Sequence, residues 1–125
     1  MSGISKPGTG IILFGHGSRD PLWRRPIEAV AARLLAAHPE LAVACAYLEL
    51  QQPDLASAAA ALVDEGATGI TIVPMFLGTG RHAREDVPVL LDQLRLAHPG
   101  VRFKLQPPVG EDPRVLDLLA TIAVE

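Results

Sequence analysis

Apolar positions along this chain alternate between two rhythms. Gly10-Ile-Ile-Leu-Phe14 is an unbroken apolar run closed by Gly15, which predicts a buried first strand. Ile27, Val30 and Leu34 then recur at helical spacing and predict a helix from about Pro21 to His38. Leu41 to Leu50 is again almost continuously apolar. A strand without polar alternation suits a parallel sheet covered on both faces. Pro53 to Glu65 reads as a helix with Leu55, Ala58, Ala59 and Leu62 inward and Gly66 as its stop. Gly69 to Met75 predicts a third strand. Asp86 to His98 predicts a third helix with Leu90, Leu91 and Leu94 inward, and Val101 to Leu105 a short fourth strand. Asp112-Pro113 reads as an N-cap and first-turn proline for a last helix running to about Ala123.

The order βαβαβαβα predicts one α/β domain over residues 10–125, built on a four-stranded, mainly parallel sheet with helices on both faces. Residues 1–9, with Gly, Ser, Pro and Lys, read as a flexible tail. A faint repeat of about sixty residues shows as well. His38-Pro39 and His98-Pro99 each end a helix before a strand, and Pro26 and Pro88 each sit near the start of the helix before.

Composition narrows the function classes. The 125 residues are 49% hydrophobic, which fits a packed core and not a disordered chain. The net charge is −3 and aromatics make up 4%, so neither charge nor stacking surface suits a nucleic acid partner. Cys45 stands alone, which excludes an internal disulfide and fits a reducing compartment. The first ten residues lack the apolar core of a signal peptide, and no apolar run is long enough for a membrane span. These features predict a soluble, cytoplasmic protein with no membrane partner.

In an open parallel sheet, ligands bind beyond the carboxyl ends of the strands. Three sequence-distant groups fall on that edge. His16 follows the first strand between Gly15 and Gly17, whose small size lets the imidazole stand clear. Glu49 ends the second strand, where a carboxylate needs solvent or a partner. His82 follows the glycine-rich loop after the third strand and sits just before a helix. Neutral imidazole with carboxylate suits a first-row divalent metal, and the same groups accept protons near neutral pH. Arg19, Arg24, Arg25, Arg81 and Arg84 gather in the same loops, a concentration that suggests a polyanionic ligand on an otherwise acidic protein. His38 and His98, at helix C-termini, read as structural, and Cys45 as core filler.

At these residues the chain resembles a known family. Gly15-His16-Gly17-Ser18-Arg19, then Tyr47-Leu48-Glu49-Leu50 with Pro53, then Val73-Pro74-Met75-Phe76-Leu77 running into Gly80-Arg81-His82 and Asp86-Val87-Pro88, resemble the small sirohydrochlorin cobaltochelatases of the CbiX type, class II tetrapyrrole chelatases. The likeness covers about Gly10 to Ala120. It implies a flavodoxin-like, chelatase-like fold and insertion of a divalent metal into a sirohydrochlorin-type tetrapyrrole for cobalamin or siroheme biosynthesis. The metal is a substrate, with Co²⁺ foremost and Fe²⁺ or Ni²⁺ as other choices, and no organic cofactor is implied. His16, His82 and Glu49 would be the catalytic and metal-binding groups. Gly17, Ser18, Arg19 and Arg81 would meet the tetrapyrrole, and a homodimer would complete the cleft. Two rivals stand beside this reading. One is a non-catalytic metal or tetrapyrrole carrier. The other is a phosphoryl-transfer enzyme using His16 and the Gly15-x-Gly17 loop.

Overall fold

The computed structural model describes residues 8–125; the first seven positions of the expected tail lie outside the described residues. Thr9 already belongs to the sheet, so the first strand opens one residue earlier than the apolar run suggests. The strands are β1 (Thr9–Gly15), β2 (Ala42–Tyr47), β3 (Gly69–Pro74) and β4 (Arg102–Leu105). All their pairings are parallel, in the order β2-β1-β3-β4. The helices are α1 (Arg25–Ala37), α2 (Leu55–Asp64), α3 (Arg81–Ala97) and α4 (Pro113–Ala123). A short 3-10 turn, Pro21–Arg24, precedes α1 and occupies the first residues of the predicted helix.

Alternate residues of β1 explain how both faces are filled. Ile12 and Phe14 point to the larger core, where α2 and α3 contribute Leu55, Ala59, Leu62, Val87, Leu91 and Leu94. Leu13 points the other way, onto Ile27 of α1 and Tyr47. Period-two alternation thus persists inside a strand that reads as uniformly apolar, because each face has its own helix layer.

Two elements differ from expectation. The third helix starts at Arg81, five residues before Asp86. Its first turns are charged, but Ala83 and Val87 are one turn apart and both are buried, so they carry the apolar stripe back to the helix start. Pro88 therefore lies inside α3 and not near its beginning. Lacking an N–H, it leaves the Arg84 carbonyl without its usual helical donor. The second strand ends at Tyr47. Leu48 to Pro53 form bends, with Leu50 at φ 66°, and only the chain before them is strand.

The two His-Pro turns are near copies. His38 and His98 both cap their helices at φ near −135°, donating to Leu34 and Leu94 at 2.8 and 3.0 Å. Their own carbonyls accept from Leu41 and Val101. The faint repeat is thus a real recurrence of one helix-to-strand turn, although Pro26 and Pro88 occupy different helical positions.

Helix α4 is well capped yet has no buried residue. Asp112 accepts from the Arg114 N–H at 2.9 Å and from its guanidinium at 2.7 and 3.1 Å, which lowers its carboxyl to a pKa of about 2. Leu118 and Ile122 are 59% and 54% exposed, one turn apart.

Candidate active site

The chain leaves β1 for β2 by way of α1 and then returns past β1 to β3 by way of α2. Those two helices lie on opposite faces, so a crevice opens at the carboxyl ends of β1 and β3. His16 follows β1 directly. Glu49 lies two residues past β2, and His82 is the second residue of α3. His82 therefore stands in the first helical turn and not in a loop before the helix.

His16 and Glu49 are joined by their main chains as well as their side chains. Leu48 and Glu49 donate their backbone N–H groups to the carbonyls of Gly15 and His16 at 2.9 and 3.1 Å. These rungs carry parallel pairing past the strand ends. The Ser18 N–H donates to Gln51 Oε1 at 3.0 Å and tightens the same junction. On this platform His16 Nε2 sits 2.9 Å from Glu49 Oε1, with each side chain about half exposed. As a hydrogen bond, the ring donates from Nε2 and leaves Nδ1 as acceptor in the neutral tautomer. The spacing also suits shared metal binding: two ligands near 2.1 Å from one ion at a right angle stand about 3 Å apart.

The cavity beside this pair has a volume of about 340 Å³ and is lined by His16, Leu48, Glu49, His82 and Asp86. All three expected metal-binding residues thus face one space. They do not form a closed cage: among the described residues, no three His, Cys, Asp or Glu side chains are grouped closely enough to hold a metal ion. His82 stands apart from the His16–Glu49 pair. Asp86 was not read from the sequence as a site residue. The signal was present in its spacing, since it follows His82 by four positions and shares its helical face once α3 is known to start at Arg81.

The other expected ligand-binding residues do not line this cavity. Ser18 Oγ accepts from the Asp20 N–H at 3.1 Å and orders its own loop. Gly17 has φ +104°, and a Cβ there would collide with the Glu49 carbonyl. Arg19 is exposed. Arg81 is exposed and donates to Glu85 at 3.0 Å. The pair lies on the surface, where such contacts are weak, so little holds the guanidinium to Glu85.

A second, apolar cavity of about 310 Å³ lies at the ends of β3 and β4, lined by Phe76, Val87, Pro88, Leu105 and Pro108 with Arg84 among its walls. Phe76 also meets the His16 ring edge-on, with centroids 6.3 Å apart. The imidazole is therefore next to aromatic carbon that also lines the apolar cavity. The loop after β1 enters a short 3-10 turn that opens on Pro21, and its Leu22 N–H donates to the Asp20 carboxylate at 2.9 Å. An acidic cap is a poor cradle for phosphate, which disfavours the phosphoryl-transfer rival.

Residues 10–125 match the family model described as CbiX. The chain belongs to the CbiX family. Among relatives, it is 30% identical over 110 residues to the sirohydrochlorin cobaltochelatase of Sulfurisphaera tokodaii, covering 88% of this chain and 87% of that one. It is 33% identical over 109 residues to the sirohydrochlorin ferrochelatase of Bacillus subtilis, but that match spans 85% of this chain and only 41% of the relative. A crystal structure of a CbiX protein from Marinobacter aquaeolei shares its fold, with a TM-score of 0.80 at 34% identity, covering 92% and 93% of the two chains. The CbiX fold expected from the sequence is the fold found, a four-stranded parallel sheet with helices on both faces.

Proposed function

We propose that this CbiX-family protein is a sirohydrochlorin chelatase, a metal-inserting lyase that places a divalent ion, Co²⁺ foremost and Fe²⁺ or Ni²⁺ as alternatives, into a sirohydrochlorin-type tetrapyrrole. The carrying observation is the His16–Glu49 pair at 2.9 Å sharing a cavity with His82 at the carboxyl edge of the sheet.

The reaction exchanges one divalent ion for two ring protons. Two ring N–H bonds break, the metal bonds to the ring nitrogens, and two protons leave. His16, Glu49 and His82 supply nitrogen and oxygen donors for the ion and acceptors for the protons. An incomplete shell serves this task better than a closed one, because the ion must leave the protein for the macrocycle. The apolar cavity behind Phe76 offers carbon surface for a flat ring, and Arg19, Arg81 and Arg84 offer forks for its carboxylates. Gly17 and Ser18 shape the loop that would meet the ring.

A second copy of the chain would close the cleft. The match covers only 41% of the Bacillus subtilis relative, which is therefore the longer chain. The apolar stripe of Val115, Leu118, Leu119 and Ile122 on α4 has no buried position and suits a homodimer contact. No helix among the described residues is long and apolar enough to cross a membrane, which accords with a cytoplasmic enzyme feeding cobalamin or siroheme synthesis. No organic cofactor enters the reaction as written.

The test is anaerobic incubation of sirohydrochlorin with Co²⁺, Fe²⁺ and Ni²⁺ in parallel, followed by absorbance. Many turnovers per protein, fastest with Co²⁺, are expected. A spectral change that stops at one equivalent would replace the enzyme with a carrier, and no change with any metal would end the tetrapyrrole reading.

A further inference from the structure

The first turns of α3 carry four ionisable side chains besides His82, and their commitments differ. Arg81 donates to Glu85 at 3.0 Å. Arg84 donates to the Thr79 carbonyl at 2.7 Å. Arg84 is thereby tied to its own loop through one guanidinium nitrogen, and Arg81 and Glu85 are matched loosely to each other on the surface. Asp86 is left with no hydrogen bond or ion pair to any described residue, and it lines the cavity that holds His16, Glu49 and His82. It lies one helical turn beyond His82 on the same face.

We propose that Asp86 is the second carboxylate of the metal site, an entry ligand that meets the incoming divalent ion together with His82, which then holds it jointly with the His16–Glu49 pair. The inference rests on the chelatase reading. Charge supports it. A dication held by two neutral imidazoles and one carboxylate carries a net charge of +1 in a partly enclosed space. A second carboxylate brings the assembly to zero, so the ion is attracted into the cavity without needing a tighter cage. Position supports it as well. His82 stands off from the His16–Glu49 pair, and among the described residues no three-ligand cluster exists. An ion arriving on the α3 side therefore needs a local partner for His82, and Asp86 is the carboxylate on that side of the cavity with no protein partner.

The decisive experiment measures Co²⁺ binding to the whole protein without tetrapyrrole, by calorimetry, for wild type, Asp86→Asn and Asp86→Glu. The expected result is a Kd weakened about ten-fold or more in Asp86→Asn and largely restored in Asp86→Glu. In insertion assays, the KM for Co²⁺ should rise in parallel while the KM for sirohydrochlorin stays level. A Kd in Asp86→Asn within about two-fold of wild type overturns the assignment. If the variant fails to fold, paramagnetic broadening by Mn²⁺ in unmodified protein decides: loss of the His82 and Asp86 amide signals at the lowest metal additions supports it, and their persistence overturns it. Failure of the chelatase reading looks different. A wild type that binds Co²⁺ through Asp86 but inserts none removes the enzyme and keeps the ligand.

Discussion

Gly17 packs its α-carbon against the main-chain carbonyl of Glu49, in a backbone conformation with φ +104°. This contact lets the loop after β1 lie directly on the bends after β2. The close approach is what permits His16 and Glu49 to meet although they leave different strands.

Gly17→Ala should therefore damage the site through its scaffold. The added methyl group meets the Glu49 carbonyl, and an L-residue at positive φ costs about 1–2 kcal/mol before any clash is counted. Chemical denaturation should show a loss of at least that size, and insertion activity should fall with it. Unchanged stability and activity would mean the two loops are not held together as described.

His16→Ala and His82→Ala should each lower insertion by about a hundred-fold or more, and the double variant should be little slower than either alone. Groups that act on one ion and one ring lose their joint effect when either is removed. Multiplicative losses in single-turnover rates would show instead that the two histidines act in separate steps. Glu49→Gln should slow insertion without unfolding the chain, since it keeps the shape and removes the charge.

Arg19→Glu and Arg81→Glu should raise the KM for sirohydrochlorin more than they lower kcat. Both side chains are exposed, so folding should be untouched. Arg81 first has to leave Glu85, so Glu85→Gln should lower the same KM slightly. Level KM values in both reversals would assign these arginines to solvent.

Cys45 should be slow to react. Burial, followed by the charge of Glu28, raises its thiol above the ordinary range. The folded state thus holds its proton more tightly than the unfolded state does. That contribution to stability is complete below the ordinary thiol value, about 8.5, and is lost as pH rises past it toward the raised folded value. Iodoacetamide at pH 8 should label the native protein far more slowly than the denatured one, and stability should decline above about pH 9. Equal labelling rates would place the thiol in solvent.

Wild type is expected to scatter light as a dimer, and Leu118→Asp with Ile122→Asp as a monomer. The motive is the exposed apolar stripe of α4. A monomeric wild type at micromolar concentration, with and without sirohydrochlorin, would leave the stripe without this partner.

Much of the architecture was legible because each element has a strong local signature. Asp112-Pro113 fixes the start of α4, and Leu55, Ala58, Ala59 and Leu62 mark the inward face of α2. The start of α3 was not legible, since Arg81 to Asp86 is mostly charged and its apolar stripe rests on Ala83 and Val87 alone. The proline at 88 reinforced the wrong boundary, because proline usually marks a first turn. That error hid Asp86, whose relation to His82 exists only if both are helical. The end of β2 misled for another reason: Leu48 and Leu50 extend the apolar run, but Leu50 adopts a left-handed conformation that no strand contains. His16, Glu49 and His82 were legible as neighbours because parallel topology sends every such loop to one edge.

The backbone rungs from Leu48 and Glu49 to Gly15 and His16 make one jaw of the cavity lined by His16, Glu49 and His82 part of the sheet itself. The other jaw is a helix start whose capping residue, Gly80, contributes no side chain. On the chelatase reading, an ion between them would meet one ligand pair fixed by the sheet and another group set by a helix start. If the proposed function holds, the ranking of cobalt, iron and nickel would come from ligand chemistry and supply more than from the width of the gap.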